Sequence, residues 1–164
     1  MSAELERSAL DALAAGWRDA WSGRGFEPWC TPDVSYEDPV VVEPLRGIEA
    51  LDRHAAALRA AFPDLAIEPT APALGRGSHA CVAWRALGTH RADIGQMLPA
   101  TDRFVALHGV HFLELTDGAV RRARGFFDLY DATTQLGLLP PRGGLGEAAL
   151  LLLRGFGLRR RPDA

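Results

Sequence analysis

Apolar residues recur along the chain with a helical period in two segments of its first half. Over residues 3–22 an apolar residue falls at every fourth position, from Leu5 to Trp21, which predicts an amphipathic helix. A similar spacing over residues 46–62 predicts a second helix, which Pro63 would stop. Each helix would bury one apolar stripe.

Alternating and short apolar runs predict extended segments at residues 34–38, 40–42, 65–69, 79–90, 103–115 and 119–130. The last two are joined by Thr116-Asp117-Gly118-Ala119, a strong hairpin signal. The order of helix, short strands, helix and antiparallel meander predicts an α+β fold, a cone in which a curved antiparallel sheet wraps around helices. The open mouth of such a cone, with its lining, is the expected internal pocket.

The end of the chain differs in composition from the rest. Residues 140–144 resemble a linker, so we predict a domain over 1–140 and a C-terminal extension over 141–164, with a short amphipathic helix near 147–156. Residues 142–164 carry five arginines against two acids, whereas the remainder carries 13 arginines against 19 acids. The extension is expected to cap the pocket mouth or extend an interface between copies, and less strongly to touch anionic lipid.

Composition excludes several reaction classes. All 18 basic residues are arginine, so no lysine is available for a Schiff base with a carbonyl substrate. The net charge of -3 gives no reason to expect nucleic acid, and two cysteines with scattered histidines predict no metal site. The N-terminal residues lack a signal-peptide pattern and no apolar run is long enough to span a bilayer, which predicts a cytoplasmic protein without membrane insertion.

The last predicted strand carries the first candidate chemistry. Alternation places Arg122, Arg124, Phe126, Asp128 and Tyr130 on one face. Partial desolvation between the two aromatic rings would raise the pKa of Asp128 toward acid or base use, whereas Arg124 would lower it. The alternative is an ordinary Asp–Arg pair at the edge of the sheet.

The preceding strand offers His108 and His111, which point to opposite faces. A regular two-residue turn would pair His111 with Arg124 and so place it on the face of Asp128, unless a bulge shifts the register. Further candidates are borne on helices or loops, where the tryptophans are either core or pocket wall: Trp17, Trp21, Tyr36, Asp38, His54 and His90.

Several short motifs occur together in a fixed order: Phe62-Pro63-Asp64-Leu65, Gly88-Thr89-His90, Leu98-Pro99-Ala100-Thr101-Asp102-Arg103, Thr116-Asp117-Gly118, Phe126-Phe127-Asp128 and Gln135-Leu136-Gly137-Leu138-Leu139-Pro140. Over roughly residues 5–140 the chain thereby resembles the SnoaL-like polyketide cyclases of the NTF2-like superfamily. The resemblance implies an NTF2-like (cystatin-like) cone and cofactor-independent acid/base catalysis. The reaction would be an intramolecular aldol-type ring closure on a hydrophobic, carbonyl-rich small molecule that is polyketide- or terpenoid-like.

The resemblance also implies roles for individual residues. It places Trp21 and His54 along the substrate cavity, and His111 where cyclases carry a site histidine. It places the cyclase aspartate at Gly125, so Asp128 with His111 or His54 would have to supply the proton chemistry. The substrate-binding set is then Trp17, Trp21, Tyr36, Asp38, His90, Arg124, Phe126 and Tyr130.

Three other functions stay open from the sequence. Asp38 and Asp128 on opposite pocket walls would suit an epoxide hydrolase, and related folds include steroid isomerases. A non-catalytic member that binds a small molecule or dimerises is the third. A homodimer or higher homo-oligomer is expected in each case.

Overall fold

The computed structural model of the chain describes residues 7–94 and 98–153. Within them lie four α-helices: α1 (Arg7–Asp19), α2 (Ile48–Ala61), α3 (Leu129–Gln135) and α4 (Leu145–Leu153). A π-helical turn, Ala20–Arg24, continues α1. The strands are β1 (Cys30–Glu37), β2 (Leu45–Arg46), β3 (Ala66–Pro69), β4 (Leu74–Arg76), β5 (His79–Thr89), β6 (Phe104–Thr116) and β7 (Ala119–Phe127).

These strands form one curved, unclosed sheet in the order β2-β1-β7-β6-β5-β3, and β4 also pairs with β5. All pairs are antiparallel except β1 and β7, which run parallel. Helices α1 and α2 share one buried apolar cluster with β1, β5, β6 and β7. The predicted α+β class, with a curved sheet around helices, is confirmed.

The core joins the predicted apolar stripes to the inward face of the sheet. Trp17 of α1, Leu51 of α2, and Leu113 and Val120 of the β6–β7 hairpin are all fully buried. Burying side chains of this size contributes roughly 1.5–3 kcal/mol each, so the two helices are fixed firmly against the concave face. That face carries the site described below.

The hairpin between β6 and β7 has the predicted two-residue turn but not the predicted register. Asp117 and Gly118 both have positive φ, 50° and 82°, as a type I′ turn requires. The register then shifts between Glu114 and Leu115, because β7 contains one extra residue there. His111 therefore pairs with Gly125, and the prediction that it pairs with Arg124 is wrong.

Two predicted extended segments differ from the structure. Strand β7 ends at Phe127 and not at Tyr130, because Asp128 caps α3. Residues 40–42 form no strand, and the second short strand is β2 instead. Both differences change which side chains reach the concave face.

The C-terminal extension contains α4, which begins two residues before the helix predicted at 147–156; residues 154–156 lie outside the described part. The Tyr130 hydroxyl donates to the Pro140 carbonyl oxygen (2.9 Å) and lies 3.3 Å from Glu147 Oε1, which connects the extension to α3. Leu145 and Leu153 at the two ends of α4 are exposed.

No helix within residues 7–94 and 98–153 is both long and apolar enough to cross a membrane. The domain boundary near 140 and the cytoplasmic location stay predictions.

Candidate active site

A cavity of about 180 Å³ lies between α2, α3 and the concave face of the sheet. Most of its lining is hydrocarbon, including Leu58, Leu107, Phe127 and Leu136. The ionisable side chains among the described lining residues are Tyr36, Asp38 and His111, and they contact one another. The cavity thus has apolar walls and one polar cluster.

Asp38 is the centre of that cluster. It directly follows β1, and its side chain is only 3% exposed. Oδ2 accepts a hydrogen bond from the Tyr36 hydroxyl (2.9 Å) and lies 3.3 Å from Nε2 of His54. Oδ1 accepts from the backbone N–H groups of Val40 (2.8 Å) and Val41 (3.1 Å). Four donors therefore surround one buried carboxylate.

These contacts decide the charge state of the pair formed by Asp38 and Tyr36. Burial alone would raise the pKa of Asp38, but hydrogen bonds from His54, Val40 and Tyr36 hold that pKa below its ordinary value. Burial and the negative charge of Asp38 raise the pKa of Tyr36 well above its ordinary value. At neutral pH, Asp38 is a carboxylate and Tyr36 is a protonated donor.

His111 extends from the middle of β6 into an aromatic enclosure. Its ring stacks on Trp21, with a centroid distance of 5.4 Å and an interplanar angle of 3°. The Trp84 ring is at 5.3 Å, and the edge of Trp17 is at 5.6 Å. Burial lowers the pKa of His111 to about 3, although the charge of Asp38 opposes this shift. The imidazole is therefore neutral at physiological pH.

The hydrogen bonds also favour one of the two ring nitrogens of His111 as the site of its proton. The Tyr36 hydroxyl has one hydrogen, and Asp38 accepts it. The Tyr36 oxygen, 3.4 Å from Nε2 of His111, is then left to act as an acceptor, which favours the tautomer with the N–H on Nε2. A neutral imidazole has one N–H, which leaves a lone pair on Nδ1. No described residue forms a hydrogen bond with Nδ1.

Gly125 leaves the space in which these groups meet. A Cβ atom at this position would lie 2.9 Å from the Tyr36 hydroxyl, 3.1 Å from Cβ of Asp38 and 3.4 Å from Cδ2 of His111. A side chain at position 125 would therefore require the Tyr36 hydroxyl to shift from its present position. The carboxylate of this cluster comes from the end of β1, not from β7.

Asp128 lies outside the cavity, so its predicted place beside His111 is wrong. Its Oδ1 accepts from the backbone N–H of Asp131 (2.9 Å), which caps α3, and its Oδ2 is 3.1 Å from Arg142. The side chain is 51% exposed. The Asp131 N–H and the charge of Arg142 hold the pKa of Asp128 below its ordinary value. Asp38 and Asp128 consequently do not form the predicted pair of facing carboxylates.

The other residues predicted on the face of Asp128 also lie outside the cavity. Arg124 is on the convex face, where its Nε donates to Glu37 at 2.6 Å. Phe126 is exposed on the same face. The Tyr130 ring lies under the guanidinium of Arg142, 4.6 Å from its centroid. The bulge in β7 and the early end of that strand are the causes, and the predicted wall of Phe126 and Tyr130 is absent.

Two further predicted residues pack against residues of the cavity wall but do not line the cavity themselves. His90 is fully buried, accepts from the backbone N–H of Thr101 at Nδ1 (3.3 Å) and stacks on Phe62, which is a wall residue. Trp17 belongs to the core and borders a second, much smaller void of about 10 Å³ next to His111. Neither of them lines the larger cavity.

The structure therefore brings together five of the predicted residues, which lie on four different segments: Trp21, Tyr36, Asp38, His54 and His111. Four of the five line the cavity, whereas His54, which was predicted along it, contacts Asp38 from outside the lining. The sequence interpretation missed Trp84, which lines the cavity next to His111. Trp84 follows Val82 by two positions on β5, so both side chains point inward, and this period of two was the available signal. In the part of the chain that the structure describes, no three His, Cys, Asp or Glu side chains converge into a metal site.

Solved structures share this architecture. TsrD from Streptomyces laurentii superposes with a TM-score of 0.72 at 22% identity, covering 83% of this chain and 100% of that one. A SnoaL-like polyketide cyclase candidate from Jannaschia sp. CCS1 gives 0.65 at 23% identity, covering 84% and 99%. A ketosteroid isomerase-like protein from Catenulispora acidiphila, solved with trimethylamine, gives 0.64 at 17% identity, covering 77% and 92%. These likenesses confirm the NTF2-like fold.

Sequence comparison gives the family directly. A search of the curated proteins finds no match to this chain. The sequence model of the SnoaL-like polyketide cyclases matches residues 7–136, which include the five residues that the structure brings together. The chain therefore belongs to the SnoaL-like polyketide cyclase family.

Proposed function

We propose that this protein is an enzyme that uses acid/base catalysis without a cofactor to remove a proton next to a carbonyl group of a hydrophobic small molecule. The observation that carries the proposal is the neutral His111, with its free Nδ1 lone pair, at the polar end of an apolar cavity. Aldol-type ring closure, which family membership favours, and isomerisation both begin with this step.

In the proposed mechanism His111 is the catalytic residue, and Tyr36 and Asp38 position it. Nδ1 takes the proton from carbon, and the imidazole becomes positively charged. Its Nε2–H already donates to the Tyr36 oxygen, whose own hydroxyl donates to the Asp38 carboxylate. The negative charge of Asp38 stabilises the imidazolium through this chain of hydrogen bonds, as a carboxylate does in a hydrolase triad.

The apolar walls act on this step in two opposite ways. Burial makes His111 a weaker base by lowering its pKa, whereas the exclusion of water strengthens its attraction to the enolate once the proton has moved. Proton removal leaves an enolate beside a positively charged His111, and this ion pair is stabilised more strongly where water is excluded. Trp21 and Trp84 both pack against the imidazole ring, so little reorganisation accompanies the transfer. The proton then returns to the same or another carbon. Alternatively, the enolate carbon attacks a second carbonyl group of the molecule, and the alkoxide formed from that group takes the proton back from His111.

The test is solvent exchange of the α-protons of 2-tetralone in D2O, followed by NMR. The wild-type protein should exchange these protons faster than buffer, and His111→Gln should slow the exchange by roughly 100- to 10,000-fold. Asp128→Asn is the matched control and should exchange at the wild-type rate. Binding of 2-tetralone without exchange by the wild type would favour the non-catalytic function. A wild-type rate in His111→Gln would remove His111 from the mechanism.

A homodimer is part of the proposal and has its own support. Phe104, Phe112 and Phe126 are exposed on the convex face of the sheet, although aromatic residues usually become buried. Light scattering should give twice the monomer mass for the wild type and the monomer mass for Phe112→Glu/Phe126→Glu. Leu74→Glu, a substitution on exposed β4, is the control and should remain dimeric. A monomeric wild type would contradict the dimer.

A further inference from the structure

The polar groups of the cavity are confined to one place. Among the lining residues that the structure describes, the hydrogen-bonding side chains apart from the indoles belong to Tyr36, Asp38, His111 and Thr133. The first three form the cluster around Asp38. The lining strands β5, β6 and β7 pair their peptide groups with one another. A polar substituent away from the cluster would therefore meet hydrocarbon.

Thr133 does not change this picture, because its hydroxyl is already engaged. Oγ1 lies 2.9 Å from the carbonyl oxygens of both Leu129 and Tyr130, to which it donates within α3. The indole N–H groups of Trp21 and Trp84 are buried away from the open space. Within the described walls, a ligand can thus form hydrogen bonds at one end of the cavity and meets only hydrocarbon elsewhere.

The size of the cavity sets a second limit. Its volume is about 180 Å³, whereas a dry cavity of about 150 Å³ accommodates one benzene molecule. Pockets for larger ligands usually measure roughly 300–1,000 Å³. One ring, or two small fused rings, fills the space. A linear array of three or four fused rings would fill it and extend out through its open side into solvent.

From these two limits we infer that the substrate is a compact ketone, with a hydrocarbon body of one or two rings and a single carbonyl group beside His111. This inference rests on the proposed function for the role of the carbonyl, and it departs from the carbonyl-rich, polyketide- or terpenoid-like substrate that the resemblance implies. A molecule with one carbonyl has no second electrophile for an intramolecular aldol step. The reaction is then a proton shift, in which a hydrogen leaves one carbon and a proton is returned to another.

The test compares three probes by quenching of tryptophan fluorescence, since Trp21 and Trp84 line the cavity. They are 2-tetralone, 6-hydroxy-2-tetralone with its hydroxyl on the distal ring, and 1,8-dihydroxyanthrone with three fused rings. The distal hydroxyl should weaken binding roughly 5- to 150-fold, the usual consequence of burying an unpaired polar group. The tricyclic probe should bind more weakly than 2-tetralone, because part of its ring system would remain outside the cavity. Equal affinity for all three probes would overturn the inference.

A substitution in the cavity wall makes the comparison sharper. Val105→Thr replaces a methyl group in the wall with a hydroxyl at nearly constant volume, and it should narrow the affinity ratio between the two tetralones. Val82→Thr, a buried valine of β5 that does not line the larger cavity, is the matched control and should leave the ratio unchanged. An unchanged ratio in Val105→Thr would contradict the hydrocarbon character of this wall.

The two proposals fail separately in these experiments. Binding is measured in His111→Gln as well as in the wild type, so affinities do not depend on turnover. If the order of affinities holds but no exchange occurs, the proposed function fails and the ligand class stands. If exchange occurs but the hydroxylated and tricyclic probes bind as tightly as 2-tetralone, the ligand class fails and the function stands.

Discussion

Replacement of Asp38 by asparagine is expected to slow α-proton exchange by roughly 100- to 10,000-fold. The substitution removes the negative charge that stabilises protonated His111. It also places an amide N–H2 group among donors, because the Tyr36 hydroxyl and His54 Nε2–H already point at that oxygen. The hydroxyl of Tyr36 must then turn, and the proton on His111 is no longer held at Nε2.

The measurement is the 2-tetralone exchange assay on Asp38→Asn, with Glu37→Gln as the matched control. Glu37 is the adjacent acid, but it lies on the convex face and pairs with Arg122 and Arg124. Its replacement should leave the exchange rate within a few-fold of wild type. Circular dichroism and thermal unfolding establish that both variants are folded. A folded Asp38→Asn protein with at least a tenth of the wild-type rate would contradict the role of Asp38.

The free energy of unfolding is expected to fall as the pH decreases from about 6.5 toward 3. In the unfolded chain His111 regains its ordinary pKa of 6.5 and binds a proton, whereas in the fold it stays neutral until the pH reaches about 3. The unfolded state therefore binds more protons throughout this range, and stability declines with falling pH. A shift of this size corresponds to a loss on the order of 5 kcal/mol. The lowered pKa of Asp38 adds a further loss below its ordinary value of 3.8.

Urea denaturation at pH 7, 5.5 and 4.5 measures this effect. In His111→Gln, one proton fewer is taken up on unfolding. The slope of the free energy of unfolding against pH should therefore fall by roughly 1.4 kcal/mol per pH unit. His79→Gln replaces an exposed histidine of β5 and should keep the wild-type slope. An identical slope in wild type and His111→Gln would mean that His111 is not the group responsible.

Much of the fold could be predicted because its signals are local. The stripe from Leu13 to Trp21 fixes the buried face of α1, and the hairpin signal at Asp117-Gly118 fixes the turn. The inward positions of Trp21 and Tyr36 follow from these elements and from alternation in β1. Helices, hairpin and meander were therefore available from the sequence alone.

The face of β7 could not be predicted in the same way. A β-bulge leaves no mark in the alternation of apolar residues, yet one extra residue moves every later side chain to the other face. Arg124 and Phe126 consequently lie on the convex side, and Gly125 faces the cavity. The end of the strand did carry a signal, since Asp128 with Asp131 three positions later is typical of a helix start.

The importance of Asp38 was hidden for a different reason. Its partners Tyr36, His54 and His111 come from three elements and meet only in the folded chain. The sequence did contain one local signal, because Asp followed by Pro favours a turn. In the structure, the Val40 and Val41 N–H groups fold back onto the carboxylate, where a strand was expected.

The protonation state of His111 is the central claim, because the proposed base, its positioning residues and the pH dependence all follow from it. Long-range 15N–1H NMR correlations of the imidazole side chains distinguish the two neutral tautomers and the charged form. At pH 7 and still at pH 5, His111 should show the neutral ring with the proton on Nε2 and none on Nδ1. A ring protonated on Nδ1, or a titration midpoint near the ordinary value of 6.5, would contradict the account.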